Sequence, residues 1–453
     1  MRKNHQVQQA LTEPWLELPY AKELEAMDRL LRDQPTIGRL AAQDLSRGRC
    51  DTGRPGMSGE ETIRALVLKM MNQISYVELW FQLHDSQTAR AFMGYGLGDD
   101  PPSRSALAAN IKRLNPETLE QISQVVLEVA RKLGVEKGRK VRVDTTAVDC
   151  NIHNPIESEQ LWDTVRVLLR LMGQAKELAG GELEIGFADR NRRAKRRALG
   201  AWNAKTKTKR RQQYRDLLKV TREVMGAARR VAGQLSSWSP DDLMTAGKAV
   251  ALQAGIERIL ALADRLCETT HRRVILGERV PSTEKVLSIF EDHTDVIVKD
   301  NRHTHYGHKI CLTGGQSSMI LDCRVLQGNP ADSTLAQEAV EAQKLLYGRV
   351  PRQVAFDGGF ASKFNLGEIK GLGVNDVMFS KRRGLEISEM TRSTWVYRRL
   401  RDFRAGIEGC ISFLKRGFGL DRCTWRSSRS FHAYVHASVL SFNLLILARH
   451  LIS

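Results

Sequence analysis

Strand-type patterning occurs in two widely separated stretches of this chain, with a long helical segment between them. Between Lys140 and Ala147, Val141 and Val143 alternate with Arg142 and Asp144, the period of a half-buried strand. The pattern returns only at Asp295 to Val298, His308 to Leu312 and Met319 to Leu326, then at Gln353 to Phe356 and Asp376 to Phe379. Thr313-Gly314-Gly315 supplies a tight turn between two of these runs. The stretch from about Ser158 to Arg279 is helical throughout. A sheet built from these strands must therefore be interrupted by a helical insert after its first strand.

The remaining segments are helical. From Pro19 to about Ile122 no convincing strand occurs, and Ser58 with Glu61 has the spacing of a capping box ahead of a helix to Asn72. A second helix is expected from Tyr76 to about Asp85. After the Asp99-Asp100-Pro101-Pro102 break, Ser103 caps a short basic helix carrying Arg104, Lys112 and Arg113. That arrangement suits a helix-turn-helix, and it equally suits an ordinary charged surface helix. Further helices are expected over Ser333 to Leu346, Thr394 to Leu414 and Phe431 to Leu451.

Charge points to a polyanionic partner. Seventy Lys and Arg against 52 Asp and Glu leave a formal charge of +18, and neutralised phosphates release condensed counterions. The excess peaks in the insert, where Arg192, Arg193, Arg196 and Arg197 are followed by Lys205, Lys207 and Lys209 with no acid from Arg192 to Arg211. Solvated helical faces usually mix both signs, so this run is read as phosphate-binding. Trp202, in its midst, is read as a core residue rather than a base-stacking one.

Seven cysteines without a CxxC pair fit neither a zinc ribbon nor a disulfide framework, and are read as free thiols. Val435 to Leu451 is apolar but broken by Ser438, Ser441, Asn443 and Arg449, which suits a buried helix rather than a membrane span. A soluble cytoplasmic protein is expected. His303, His305 and His308 lack acidic or Cys partners nearby and are read as polar surface, with His308 and Lys309 flanking bound DNA.

Three acids stand where chemistry would place them. Asp144 ends the alternating strand, Asp357 ends an apolar strand before Gly358-Gly359, and Glu408 lies mid-helix among Gly406, Ile407, Gly409 and Cys410. Hard divalent ions take oxygen ligands, few of them from protein, and paired ions can serve an in-line phosphoryl displacement. Small neighbours around Glu408 allow close approach of its helix to the sheet. Asp149, shortly after Asp144, is the weaker candidate for the first ligand, and Asp322 is read as structural.

Val141 to Val148 (VRVDTTAV), Val354 to Phe360 (VAFDGGF) and Arg404 to Lys415 (RAGIEGCISFLK) resemble the three acidic blocks of DDE transposases from bacterial insertion sequences. The last block keeps the family's R-x3-E-x6-K run, with Arg404, Glu408 and Lys415 in register. A Tyr usually stands three residues before that Arg, and this chain has Arg401. The resemblance implies an α/β fold: an RNase H-like mixed-sheet catalytic core over 136–157 and 280–453, interrupted by a basic helical insert over 158–279. An all-α, helix-turn-helix-like DNA-binding domain would occupy 1–135. It further implies Asp144, Asp357 and Glu408 as catalytic ligands of two Mg²⁺ ions, with Mn²⁺ able to substitute, and Arg404 and Lys415 facing phosphates. The expected partners are double-stranded DNA, as transposon terminal repeats and target, and a second copy of the chain. Two alternatives stay open from sequence: a nuclease without strand transfer, and an inactive DNA-binding regulator. The insert would grip DNA or serve as a dimerisation lobe.

Overall fold

The computed structural model describes residues 17–46, 56–96, 98–299 and 303–452. It forms two compact units, one comprising the chain up to Asn151 and from Ile297 onward, the other Ile152–Val296. Six strands make one mixed sheet: β1 (Lys140–Asp149), β2 (Asp295–Lys299), β3 (His303–Gly314), β4 (Ile320–Val325), β5 (Gln353–Phe356) and β6 (Asp376–Phe379). The order is β2-β3-β1-β5-β6, with β4 also paired to β3. β1 runs antiparallel to β3 and parallel to β5, and β5 is parallel to β6. Val143 lies opposite Phe356, and Phe356 opposite Phe379, so Asp357 and Ser380 leave the sheet side by side at the ends of β5 and β6. β1 runs on to Asp149, so Asp144, expected at a strand end, lies mid-strand where the pairing with β5 stops.

β5 and β6 are apolar because helices cover them; Val354, Ala355, Phe356, Val377, Met378 and Phe379 are all fully buried. The helix Thr394–Gly417 crosses β1, β5 and β6. Leu400, Ile407 and Leu414 form its buried stripe, and the Ser393 hydroxyl accepts the Val396 N–H at 3.3 Å to start it. Where this helix passes β1, Gly406 leaves room for the Arg142 guanidinium, which donates to the Phe403 carbonyl at 3.0 Å.

The C-terminal helix, Ser428–Ile452, packs against β4 and against helices Pro19–Arg32, Gly59–Asn72 and Pro116–Lys132. It is long and apolar enough to cross a membrane, but most of it is interior to the unit. Two of its buried polar residues are satisfied internally: Asn443 bonds both the N–H and the carbonyl of Ile320, at 2.8 and 2.7 Å, and Ser438 bonds the Tyr434 carbonyl at 2.9 Å. The N-terminal helices belong to the same unit. The Ser58–Glu61 capping box forms, with bonds of 3.0 and 2.6 Å, and opens the helix Gly59–Asn72. From that helix Arg64, fully buried, reaches Asp28 at 2.7 Å and Glu60 at 2.6 Å.

The second unit consists of helices Glu157–Ala179, Asn191–Trp202, Lys207–Ser237 and Leu243–Thr270, the last continuing as a π-helical turn to Leu276. Leu168, Leu217, Val224, Ile256 and Leu266 lie in its own apolar core. Six cysteines are free and buried among the described residues, while Cys50 lies outside them.

Candidate active site

Asp144, Asp357 and Glu408 line one cavity of about 720 Å³ at the carboxyl end of β5, beside the middle of β1. Open sheets bind ligands at such ends, because loops leaving parallel strands diverge there. Arg404 joins the three acids. Its Nη1 lies 3.0 Å from Asp357 Oδ1 and 3.6 Å from Asp144 Oδ2, and its Nη2 pairs with Glu408 Oε1 one helical turn away. The guanidinium thus supplies the counter-charge for a cluster whose members are distant in sequence.

Each aspartate is also held locally. The Thr145 N–H donates to Asp144 Oδ1 at 2.8 Å, and the Ser380 hydroxyl to Asp357 Oδ1 at 2.9 Å. Burial pushes the Asp357 carboxyl up, but the Ser380 hydroxyl, the Gly358 N–H and the Arg404 guanidinium outweigh it and hold the group below the usual carboxylate range. An ionised, oxygen-only donor set that opens into a polar cavity suits a hard divalent cation such as Mg²⁺. The residues present therefore fit the ion that the sequence resemblance implies.

Sequence reasoning missed a fourth acid here. Asp332 lines the same cavity, its Oδ1 accepting from the Thr145 hydroxyl at 3.0 Å and from the Lys309 ammonium at 2.6 Å. Gly359 makes room for it, since a Cβ there would collide with the Asp332 carboxylate. The double glycine after Asp357 was the available signal: it marks where another chain segment comes close, without saying which. Lys381 and Arg383, on the loop after β6, line the cavity too and were likewise missed.

Of the expected DNA-facing cations, Arg404, Lys415 and Lys309 lie in the cavity wall, Lys415 also 3.3 Å from Asp421. His308 does not. It is buried, with its ring packed edge-on against Phe431 at 4.8 Å, so the expectation that it flanks DNA is corrected. Neighbouring strand residues point to opposite faces, and Lys309 takes the side that meets the cavity. Asp149 is 3.1 Å from His305 and outside the cavity lining. Asp322 is 3.1 Å from Arg324 on β4.

Arg104 and Lys112 are exposed at the start and the C-cap of the short helix Arg104–Ile111, and Arg113 is half-buried beside them. In the second unit Arg192, Arg196, Lys205, Lys207 and Lys209 are exposed. Arg193 and Arg197 instead converge on Asp216 from the neighbouring helix. The acid-free run in sequence is therefore not acid-free in space, and these two arginines are engaged within the unit. Trp202 is 57% exposed, against the expectation of a core residue.

A family model described as Transposase domain (DUF772) matches residues 17–113, and one described as Transposase DDE domain matches residues 288–444. The second match includes Asp357 and Glu408; Asp144 falls outside both, so its association with the other two acids rests on the sheet register and on Arg404. No curated protein and no solved structure matches the chain.

Proposed function

Since the chain belongs to the DDE transposases of insertion-sequence type, we propose that it cuts DNA at the ends of its element and joins the freed 3′-hydroxyl to target DNA. The observation that carries this reading is the convergence of Asp144, Asp357 and Glu408 on Arg404 in one cavity. The strand order supports an RNase H-like core. β4, β3 and β1 form an antiparallel run and β5 and β6 extend it in parallel, with an acid midway along the central strand and another just past the end of its parallel neighbour.

In both reactions an oxygen attacks phosphorus in line and the opposite 3′-oxygen leaves: water attacks in cleavage, the freed 3′-hydroxyl in joining. Asp144, Asp357 and Glu408 would hold two Mg²⁺ ions, replaceable by Mn²⁺, which supply activation of the attacking oxygen and stabilisation of the leaving one. Thr145 and Ser380 orient the two aspartates, and Arg404, Lys415 and Lys309 offer positive charge to phosphate oxygens along the cavity wall. The N-terminal helices, with Arg104, Lys112 and Arg113, would hold the terminal repeats, in a helix-turn-helix manner. The exposed insert cations would add sequence-independent grip, and a second copy of the chain would hold the other end.

The test uses duplexes that carry the DNA bordering the reading frame. Asp144→Asn, Asp357→Asn and Glu408→Gln should each abolish Mg²⁺-dependent cleavage while duplex binding persists. Full cleavage by any one of them would remove that residue from the triad. Products of a labelled 3′-end joined to a target plasmid separate transposition from simple hydrolysis.

A further inference from the structure

We propose that Lys381 and Arg383, on the loop after β6, clamp the DNA backbone beside the scissile phosphate; this rests on the DNA-cutting reading above. The cavity wall carries five cations, and they differ in how far they are already committed. Lys309 is paired with Asp332, Lys415 with Asp421, and Arg404 with all three acids of the triad. Lys381 and Arg383 line the same cavity and are exposed, and among the described residues no ion pair or hydrogen bond engages either side chain. Paired cations share their charge between phosphate and the acids they hold, whereas unpaired ones retain their full charge for phosphate.

Their placement follows from the sheet. Ser380 continues β6 by donating its N–H to the Phe356 carbonyl at 3.1 Å, and its hydroxyl holds Asp357. Lys381 is the next residue, so its stem starts one position from a group that orients the candidate metal ligand. That stem lies across Gly358, where a Cβ would sit 2.7 Å from both Cβ and Cγ of Lys381. The glycine therefore sets the path of the lysine, which is more than tolerance of a solvated side chain. Arg383 adopts φ +48° and Gly384 φ +86°, and this left-handed pair turns the chain so that Leu385, buried at 2% exposure, anchors the loop behind the two cations. A bulky residue held in that region at the mouth of the cavity is a conformation that glycine would adopt more readily, yet glycine would carry no charge.

The ligand is the sugar-phosphate backbone, read without regard to sequence. Binding of the bordering duplex is measured by fluorescence anisotropy across a salt series in Mg²⁺-free buffer, for wild type, Lys381→Ala/Arg383→Ala and Lys344→Ala. Lys344 is an exposed cation on the helix Ala336–Tyr347 and is not part of the cavity lining, so it controls for loss of charge alone. Each phosphate contact contributes about 0.9 to the slope of log K against log salt, so the double variant should flatten that slope by roughly 1.8. Lys344→Ala should leave it unchanged. Gly358→Ala should reproduce part of the flattening while both cations remain. A double variant with the slope of Lys344→Ala overturns the proposal. A flattened slope in a protein that never cuts the duplex supports the clamp and removes the catalytic reading. A wild type that binds no duplex removes both.

Discussion

At the scale of single residues, Arg404 and Ser380 carry the electrostatics of the site. Arg404→Gln would leave three carboxylates facing one another without counter-charge. Its melting temperature should fall in chelator and rise on adding Mg²⁺ by more than that of wild type; an equal response would mean that Arg404 is not their counter-ion. Ser380→Ala acts through Asp357, whose carboxyl is held low in the folded state. Such a group contributes stability above its unfolded-state pKa, and the contribution is lost as pH falls through the folded value. Removing the hydroxyl raises the folded value towards the unfolded one, so the stability gained from this group shrinks across the acid range. Thermal melts over that range should show a smaller advantage of neutral over acid pH than in wild type, and unchanged pH dependence would contradict the assignment. His308→Ala should cost roughly 1–3 kcal/mol by loss of buried packing and leave DNA affinity per folded molecule alone. Asp144, Asp357 and Glu408 were named from apparent strand ends and spacing, and β1 in fact continues past Asp144 to Asp149. Asp332 and Lys381 were not legible, because only strand pairing brings their loops to Asp144 and Asp357. His308 was misread because β3 is covered on both faces in its middle, and alternation loses its meaning there.

At the scale of elements, the helix carrying Glu408 matters through its closeness to the sheet. Gly406 faces the Arg142 guanidinium, and Gly314 on β3 leaves only 2.7 Å between a notional Cβ and Ile407 Cδ1. Gly406→Ala must push either the arginine or the helix. Overpacking of this kind typically costs about 1–3 kcal/mol, and denaturant unfolding would measure it. Cleavage per folded molecule should fall as well, since Glu408 rides on the same helix; a stable variant of normal activity would show that the contact is slack. Strands and helices themselves read well from sequence: β5 and β6 occupy their expected spans, and the Ser58 and Ser103 caps open helices. Helix Asn191–Trp202 shows the limit. Its charges were visible, but Asp216, which takes up two of them, sits on another helix, and no local pattern reports that.

At the scale of the molecule, the insert unit tests how the basic excess is used. Lys205, Lys207 and Lys209 are exposed, so replacing all three by Ala should lower the salt slope of duplex binding by up to about 2.7 if each meets a phosphate. Replacing Arg193 and Arg197 should instead strand Asp216 and show as a lower melting temperature at little change in slope. The opposite pattern would assign the unit to contact between copies of the chain.

The interruption of the sheet also orders events on the ribosome. β1 emerges with Asp144 early, but its partner β3 follows only after the whole helical unit, and Asp357 and Glu408 come later still. The helical unit has its own core and short-range contacts, so it can fold while β1 waits unpaired. Basic surface is thus present on the nascent chain well before any carboxylate cluster exists. A chain shortened ahead of the Glu408 helix would carry most of the cations but neither Glu408 nor Arg404, and it would lack the C-terminal helix against which the N-terminal helices pack.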